Sequence, residues 1–415
     1  MYEWSEEHRA IIDAVRRFVD TEVRPRLDGL EHEGDAPYEV LRAFYRTFGL
    51  REAAAESFER ALARKRGGER PPGSGDPAPS VLATIEFCRV SPGLVTSLGV
   101  STGLAAGTIN RLGTPAQMER WGRDLLTLDK VGAWAITEPD SGSDALGGMR
   151  TSARHDGDEY VLNGQKTWIT NGPFADTLVV YAKLDDGSST DPRERPVLTF
   201  VLDRGMAGLE QSAPMRKMGQ HASPTGDVFL SDVRVGRDRL LGETETPEGG
   251  GRASARDNFV TERAGVAAMA LGVIEECLRL SVEYARTRTL WGQPIGEFQL
   301  VQLKLAQMAV ARQNVRQMIF AHLERSHDGV VVWLSSSFLQ LVLLPIIIVG
   351  QNIQAAAADK RSEETYKDAE AVLKESEEIQ KHLLAQDQAI SEIVARLERL
   401  YAHFGVSDNP ADASS

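Results

Sequence analysis

Hydrophobic residues recur along this chain with a helical period, then a strand period, then a helical period again. In the first block Ile11, Ile12, Val15, Phe18, Val19 and Val23 share one helical face behind the capping sequence Ser5-Glu6-Glu7-His8. Pro25 ends or bends that helix, because it lacks the amide the next turn needs. Tyr38 to Phe48 predicts a second helix closed by Gly49. Ser80–Val90 and Gly99–Leu112 predict two more. Gly67–Pro77, rich in glycine and proline, predicts an exposed loop. Thr114-Pro115 opens a further helix, with threonine as N-cap and proline at the first helical position.

The period changes near Lys130. Asp158–Leu162, Thr177–Ala182, Val197–Leu202 and Asp227–Leu230 predict strands, and Asn163-Gly164 predicts a hairpin turn. Pro247–Gly251 predicts a loop. Helical spacing returns from Phe259 to about Thr287 and from about Gly296 to Arg325. Residues 329–358 carry no charge, and Val330–Gly350 is strongly apolar. A polar helix-forming stretch follows. In it Ala371, Leu373, Ile379, Leu383, Leu384, Ile390, Ile393, Val394, Leu397 and Leu400 fall at roughly heptad spacing. The residues from Ser407 predict a disordered end. The expected architecture is α+β. A helical domain (1–129) precedes a middle β-barrel or sandwich domain (130–245) and a C-terminal helical domain (246–328). An apolar segment and polar helical tail (329–415) close the chain.

Composition narrows the function classes. A chain of 415 residues implies two or three domains. A formal charge of -13 argues against a nucleic-acid partner, since no net positive field draws a polyanion. Cys88 and Cys277 lie far apart, form no metal-type spacing and predict buried apolar roles in a reduced, cytoplasmic compartment. No metal site is expected. The start Met1-Tyr2-Glu3-Trp4 lacks the basic-then-apolar order of a secretory signal.

Two runs carry candidate chemistry. The first is Trp134-Ala135-Ile136-Thr137-Glu138-Pro139-Asp140-Ser141-Gly142-Ser143-Asp144. The second is Asn163-Gly164-Gln165-Lys166-Thr167-Trp168-Ile169-Thr170-Asn171-Gly172. Taken singly, each threonine or serine reads as a turn or cap residue. Both runs in this order, separated by strands, resemble the flavin-binding face of the acyl-CoA dehydrogenase family. The resemblance covers residues 1–328 and implies FAD as cofactor. By position, Trp134 and Thr137 would border the flavin ring, and Ser143 would contact the phosphates or the acyl-CoA. Trp168 would flank the isoalloxazine, and Thr170 would donate to N5. Arg286-Thr287-Arg288-Thr289-Leu290-Trp291-Gly292 resembles the family's arginine-rich turn. There Arg288 would clamp the FAD pyrophosphate of a neighbouring subunit, with Phe298 and Gln299 as the adjacent flavin contacts. The plainer reading of Arg288 is a solvated cation at a helix end.

The family reaction removes an α-proton from an acyl thioester while a β-hydride moves to flavin N5, so a carboxylate must face the α-carbon. In most members it lies late in the chain, in a Tyr-Glu-Gly-Thr-type segment. That segment is missing here, and Lys374–Gln380 is only an echo of it. A branch resembling isovaleryl-CoA and long-chain acyl-CoA dehydrogenases places the base earlier, just before an arginine. Thr261-Glu262-Arg263-Ala264-Gly265 stands at that position, making Glu262 the candidate base and Arg263 its neighbour. The plainer reading of Glu262 is an acidic residue near a helix N-terminus. Asn258 and Phe259 would border the CoA path.

The tail departs from the family. About twenty helical residues span about 30 Å, so Val330–Gly350 would cross a bilayer or form a buried bundle helix. Its surroundings weakly resemble small bacterial membrane proteins. The expected function is α,β-dehydrogenation of an acyl-CoA or acyl-carrier-protein thioester. The electrons would pass to an acceptor like electron-transfer flavoprotein, and the protein would be a homo-oligomer, dimer or tetramer. The alternative is a catalytically impaired flavoprotein-like module tethered to a membrane through 330–350.

Overall fold

The computed structural model describes residues 4–68, 78–187, 189, 191–245 and 250–326, together with 391, 395, 396 and 399. The expected loop after Gly68, the apolar segment 330–350 and most of the heptad stretch lie outside the described residues. The chain divides into two compact units, residues 1–332 and 333–415. The four described residues of the second unit are helical. Among the described residues no helix is long and apolar enough to cross a membrane.

Helices α1 (Glu6–Phe18), α2 (Tyr38–Thr47), α3 (Leu50–Gly67), α4 (Ala78–Cys88), α5 (Pro92–Leu98), α6 (Ala106–Leu112), α7 (Pro115–Gln117) and α8 (Arg123–Leu126) build the first domain. Ser5 caps α1 by accepting from the His8 amide, as expected of that sequence. The helical path runs on past α1 through a π turn (Val19–Val23) and a 3-10 turn at Pro25, which bends it rather than ending it. Gly49 takes a left-handed φ of 63° between α2 and α3. Thr114 and Gln117 form a reciprocal capping box at α7. Helix α3 had no sequence prediction. Only Phe58 and Leu62 of its residues are buried, too few to set a period.

Seven strands form one sheet: β1 (Gly132–Ala135), β2 (Ser152–Asp156), β3 (Glu159–Thr170), β4 (Thr177–Leu184), β5 (Val197–Asp203), β6 (Leu209–Gln211) and β7 (Thr225–Gly236). β1 and β2 share one edge of β4, both parallel to it, and β5 pairs antiparallel along the other edge. β3 pairs with β2 and β7, and β6 closes the far side. Along β4 every residue is buried. Leu178, Val180 and Ala182 point into a core made of strand residues and their connections, so the sheet curls on itself. Val179 and Tyr181 point the other way, into a core shared with Ala105, Ile109, Trp121 and Ala255 of the helices.

Asn163-Gly164 is not the turn its sequence predicts. Both residues lie inside β3, where the register against β7 shifts between Leu162 and Gly164. A Cβ at Gly164 would meet Thr151 Oγ1 at 2.5 Å, and its φ is 152°. Glycine is therefore required by a close backbone approach rather than by a turn. The turn between β2 and β3 is made at Gly157, with φ 65°.

Two long helices follow, α9 (Gly250–Thr287) and α10 (Gln299–Ser326). α9 starts at Gly250, so the expected loop does not reach Gly251. It crosses α4 so closely that a Cβ at Gly272 would meet Ile85 O at 2.3 Å. A charge network locks that crossing. Glu86 accepts from Arg16 and Arg89, and Glu276 on α9 accepts from Arg89, Arg279 and, at 3.4 Å, Arg24. Val266, Val273 and Leu280 recur every seventh residue along α9 and are exposed, as are Leu300, Leu303 and Val310 of α10.

The Arg279 guanidinium holds the Glu276 carboxyl down at about 2, against burial and with help from Arg89. A carboxylate depressed on folding stabilises the fold above its unfolded pKa, and that contribution is lost as pH falls through the folded value. Glu276 should therefore contribute about 3 kcal/mol that disappears between about pH 4.5 and about 2. In urea unfolding across that range, E276Q should start less stable at pH 7 and lose less on acidification than the unsubstituted protein. Equal pH slopes would refute the assignment.

Candidate active site

The two sequence runs meet where the chain leaves β1 and passes beside the second half of β3. The Thr167 amide donates to Thr137 O at 2.9 Å. Beneath that contact Lys166 is fully buried, and its ammonium donates to Glu138 Oε1 at 2.8 Å and to Ile136 O at 3.3 Å. Glu138, 4% exposed, also accepts from the amides of Arg150 and Thr151. Burial pushes the Lys166 ammonium down to about 8 while the Glu138 charge holds it up. Burial also opposes ionisation of Glu138, but Lys166 and the hydrogen bonds outweigh it and lower its pKa. Both groups are charged at neutral pH, and the pair holds one run against the other.

A β-bulge then aims the second run. The register against β7 slips between Lys166 and Ile169, so Thr167 and Trp168 together face Asp227. Trp168 takes a left-handed φ of 59° and its indole is 62% exposed, between buried Thr167 and buried Ile169. Thr170 follows, half-buried, and Asn171 closes the run with φ 63°. Asn171 is fully buried. It donates to Ser97 O and Gly132 O, accepts from the Tyr38 hydroxyl, and its amide donates to Pro224 O at 2.7 Å. That hub fixes the end of β3 to the helical domain, to β1 and to the residue before β7. Thr137 and Thr170 are half-buried and their hydroxyls have no partner among the described residues. An exposed, backbone-locked indole beside two uncommitted hydroxyls fits the edge and face of a flat aromatic ring such as a flavin.

The first run ends in a tight loop. Ser141 and Glu138 exchange backbone hydrogen bonds, and the Ser141 hydroxyl donates to Asp144 O. Ser143 is exposed. Trp134, expected at the ring, has its indole buried instead. It packs edge-on against Tyr181 at 5.2 Å and against Phe259 of α9 at 5.6 Å, and its Nε1 has no partner among the described residues.

That contact brings α9 to the same end of the sheet. Asn258 is buried and committed: it accepts from Arg111 and donates to Thr108, tying α9 to α6. Phe259 is half-buried against Trp134. Glu262 and Arg263 lie on α9 about one turn further on. Because α9 begins at Gly250, Glu262 is well beyond the first turn. The helix-terminus reading of Glu262 therefore loses its basis, since that electrostatic effect fades within the first turn.

Arg288 stands apart from these groups in sequence. It follows the last residue of α9 and is exposed. A small hairpin, β8 (Thr289–Leu290) with β9 (Gln293–Pro294), projects beyond it. Trp291, 85% exposed, and Gly292 both take positive φ at its tip, and Trp291 meets Phe298 edge-on at 5.7 Å. Gln299 opens α10 and is exposed. Glu138, Lys166, Asn171 and Tyr38 escaped the sequence reading as site-forming residues. Their roles depend on partners far away in the chain.

Comparison with known proteins follows the same division. Models of the N-terminal, middle and C-terminal domains of acyl-CoA dehydrogenase match residues 5–129, 133–233 and 249–337. The caffeyl-CoA reductase-Etf complex subunit CarC of Acetobacterium woodii is 32% identical over 320 residues, covering 76% of this chain and 78% of that one. Mitochondrial isovaleryl-CoA dehydrogenase of Pongo abelii is 30% identical over 330 residues, covering 78% and 73%. The structure of butyryl-CoA dehydrogenase from Megasphaera elsdenii matches with a TM-score of 0.66 at 27% identity, covering 82% of this chain and 84% of that one.

Breaking the Lys166–Glu138 pair on one side should cost more than removing it whole. E138Q strands a buried ammonium and should destabilise by about 3–5 kcal/mol. The double variant E138Q/K166M should recover part of that loss in urea unfolding. A double variant no more stable than E138Q would contradict this account.

Proposed function

Because this chain belongs to the acyl-CoA dehydrogenase family of FAD-dependent oxidoreductases, we propose that it oxidises an acyl-CoA thioester to the trans-2-enoyl thioester. The observation that carries the reading is the convergence of Trp168, Thr170 and Thr137 at one end of the sheet, with α9 drawn to the same end by the Trp134–Phe259 contact. When bound, FAD supplies the acceptor for the β-hydrogen and its electron pair. Trp168 flanks the ring, and Thr170 and Thr137 offer hydroxyl donors at its edge, where reduction builds negative charge. Ser143 serves the phosphates. Glu262 takes the α-proton, so that a proton and a hydride leave adjacent carbons and the C=C bond forms between them. Arg263 lies beside the base, and Asn258 and Phe259 shape the wall of the thioester path.

Arg288 and Gln299 act in this reading on the flavin of a neighbouring subunit. The exposed apolar faces of α9 and α10 support a homo-oligomer. The similarity to a subunit of a caffeyl-CoA reductase-Etf complex supports an electron-transfer flavoprotein as the redox partner.

Anaerobic titration with a graded series of acyl-CoAs tests the proposal directly. The flavin absorption band of the purified protein should bleach with at least one chain length. A protein that takes up no FAD, or that bleaches with none of them, overturns it. E262Q should keep the flavin and slow bleaching by about 100-fold or more. Unchanged bleaching in E262Q would move the base elsewhere while leaving the reaction intact.

A further inference from the structure

The loop carrying Ser143 is held from below by a residue that has no part in the chemistry above. Lys183 lies near the end of β4, on the same face as Tyr181, and is 3% exposed. Its ammonium donates to Gly147 O at 2.7 Å. Two further carbonyls of the loop are consumed within it. Ser141 O accepts from the Glu138 amide, and Asp144 O accepts from both the Ser141 hydroxyl and the Gly148 amide. The loop is wound so tightly that a Cβ at Gly147 would meet Asp144 Oδ1 at 2.3 Å, and one at Gly148 would meet Ser141 Oγ at 2.6 Å. On the outer side a Cβ at Gly142 would find only Thr137 Cγ2, at 4.0 Å. With the carbonyls of Ser141, Asp144 and Gly147 engaged, the amides of Gly142 and Ser143 and the Ser143 hydroxyl have no partner among the described residues, next to Thr137.

We propose that Lys183 is a positioning residue that fixes the Gly147 carbonyl inward, so that the Gly142–Ser143 amides and the Ser143 hydroxyl stay aimed outward at a diphosphate. The inference rests on the reading of Ser143 as a phosphate contact. Two ligands of the proposed reaction carry that chemistry, FAD and the CoA of the thioester. Burial pushes the Lys183 ammonium down, and Arg252 and Arg193 add to the effect, so the residue sits there against an electrostatic cost. Arg193 reinforces the same loop from outside by pairing with the Asp144 carboxylate.

The test compares ligands with and without the diphosphate. K183M should bind FAD about tenfold more weakly while its affinity for riboflavin is unchanged. If the loop serves the substrate instead, KM for an acyl-CoA should rise about tenfold while KM for the acyl-pantetheine and kcat stay put. A general loss of structure would weaken both members of each pair together. If both ratios are unchanged in K183M, Lys183 has no such role. If K183M does not fold, the same ratios are read in K183Q, whose side chain is one bond shorter than that of lysine and carries no charge; they should shift in the same direction, and unchanged ratios overturn the proposal. S143A separates the two layers. Ratios moved by S143A but not by K183M reject the role of Lys183 alone, whereas ratios moved by neither reject the phosphate reading of the loop.

Discussion

A single buried ion pair, Lys166 with Glu138, makes the two halves of the site one object. Neither group is tolerable alone inside the sheet, since an isolated buried charge costs several kcal/mol. Each therefore requires the other in place before the region can close. Glu138 also collects the amides of Arg150 and Thr151, so the same carboxylate anchors both ends of the loop that carries Ser143. Lys166 reaches across to Ile136 O and secures the strand leading to Thr137. The outward groups proposed to face a ligand depend on this inward pair, which is itself buried.

Much of this was legible in the sequence because it is local. Ser5, Thr114 and Gly49 act within a few residues of themselves, and their motifs predicted their geometry. The runs around Thr137 and Trp168 were legible as a resemblance, although the bulge that turns Trp168 outward was not. Asn163-Gly164 misled because a glycine required by Thr151, well back in the chain, has the same sequence signature as a glycine required by a turn. The start of α9 was hidden by glycines that read as loop but form its first turn. Asn171 and Tyr38 could not be found as a pair, because only the folded chain brings residues 133 positions apart into contact.

The long helix α9 connects the middle sheet to the charge network of the first domain. Near its beginning Ala255 and Phe259 pack against the sheet around Trp134. Further along, Glu276 sits among Arg24, Arg89 and Arg279 and fastens the helix to the 3-10 turn at Pro25 and to the residue that follows α4. Glu262 lies between these two attachments. The proposed proton-transfer role suits that placement, because the helix is fixed on both sides of this position.

The bulge at Thr167–Trp168 has a consequence for how this strand can change over time. Side chains on a strand alternate between its faces, so an ordinary stretch from Lys166 to Thr170 would tie the orientation of each to every other. The extra residue breaks that tie: Lys166 stays buried, Trp168 turns to solvent, and Ile169 returns to the core. Loss of Thr167 or Trp168 would restore strict alternation with Lys166 and Ile169 still on one face, but it would remove either the indole or the two-residue bulge whose left-handed backbone presents it. A change in length here therefore acts on the aim of the indole while leaving the buried neighbours in register.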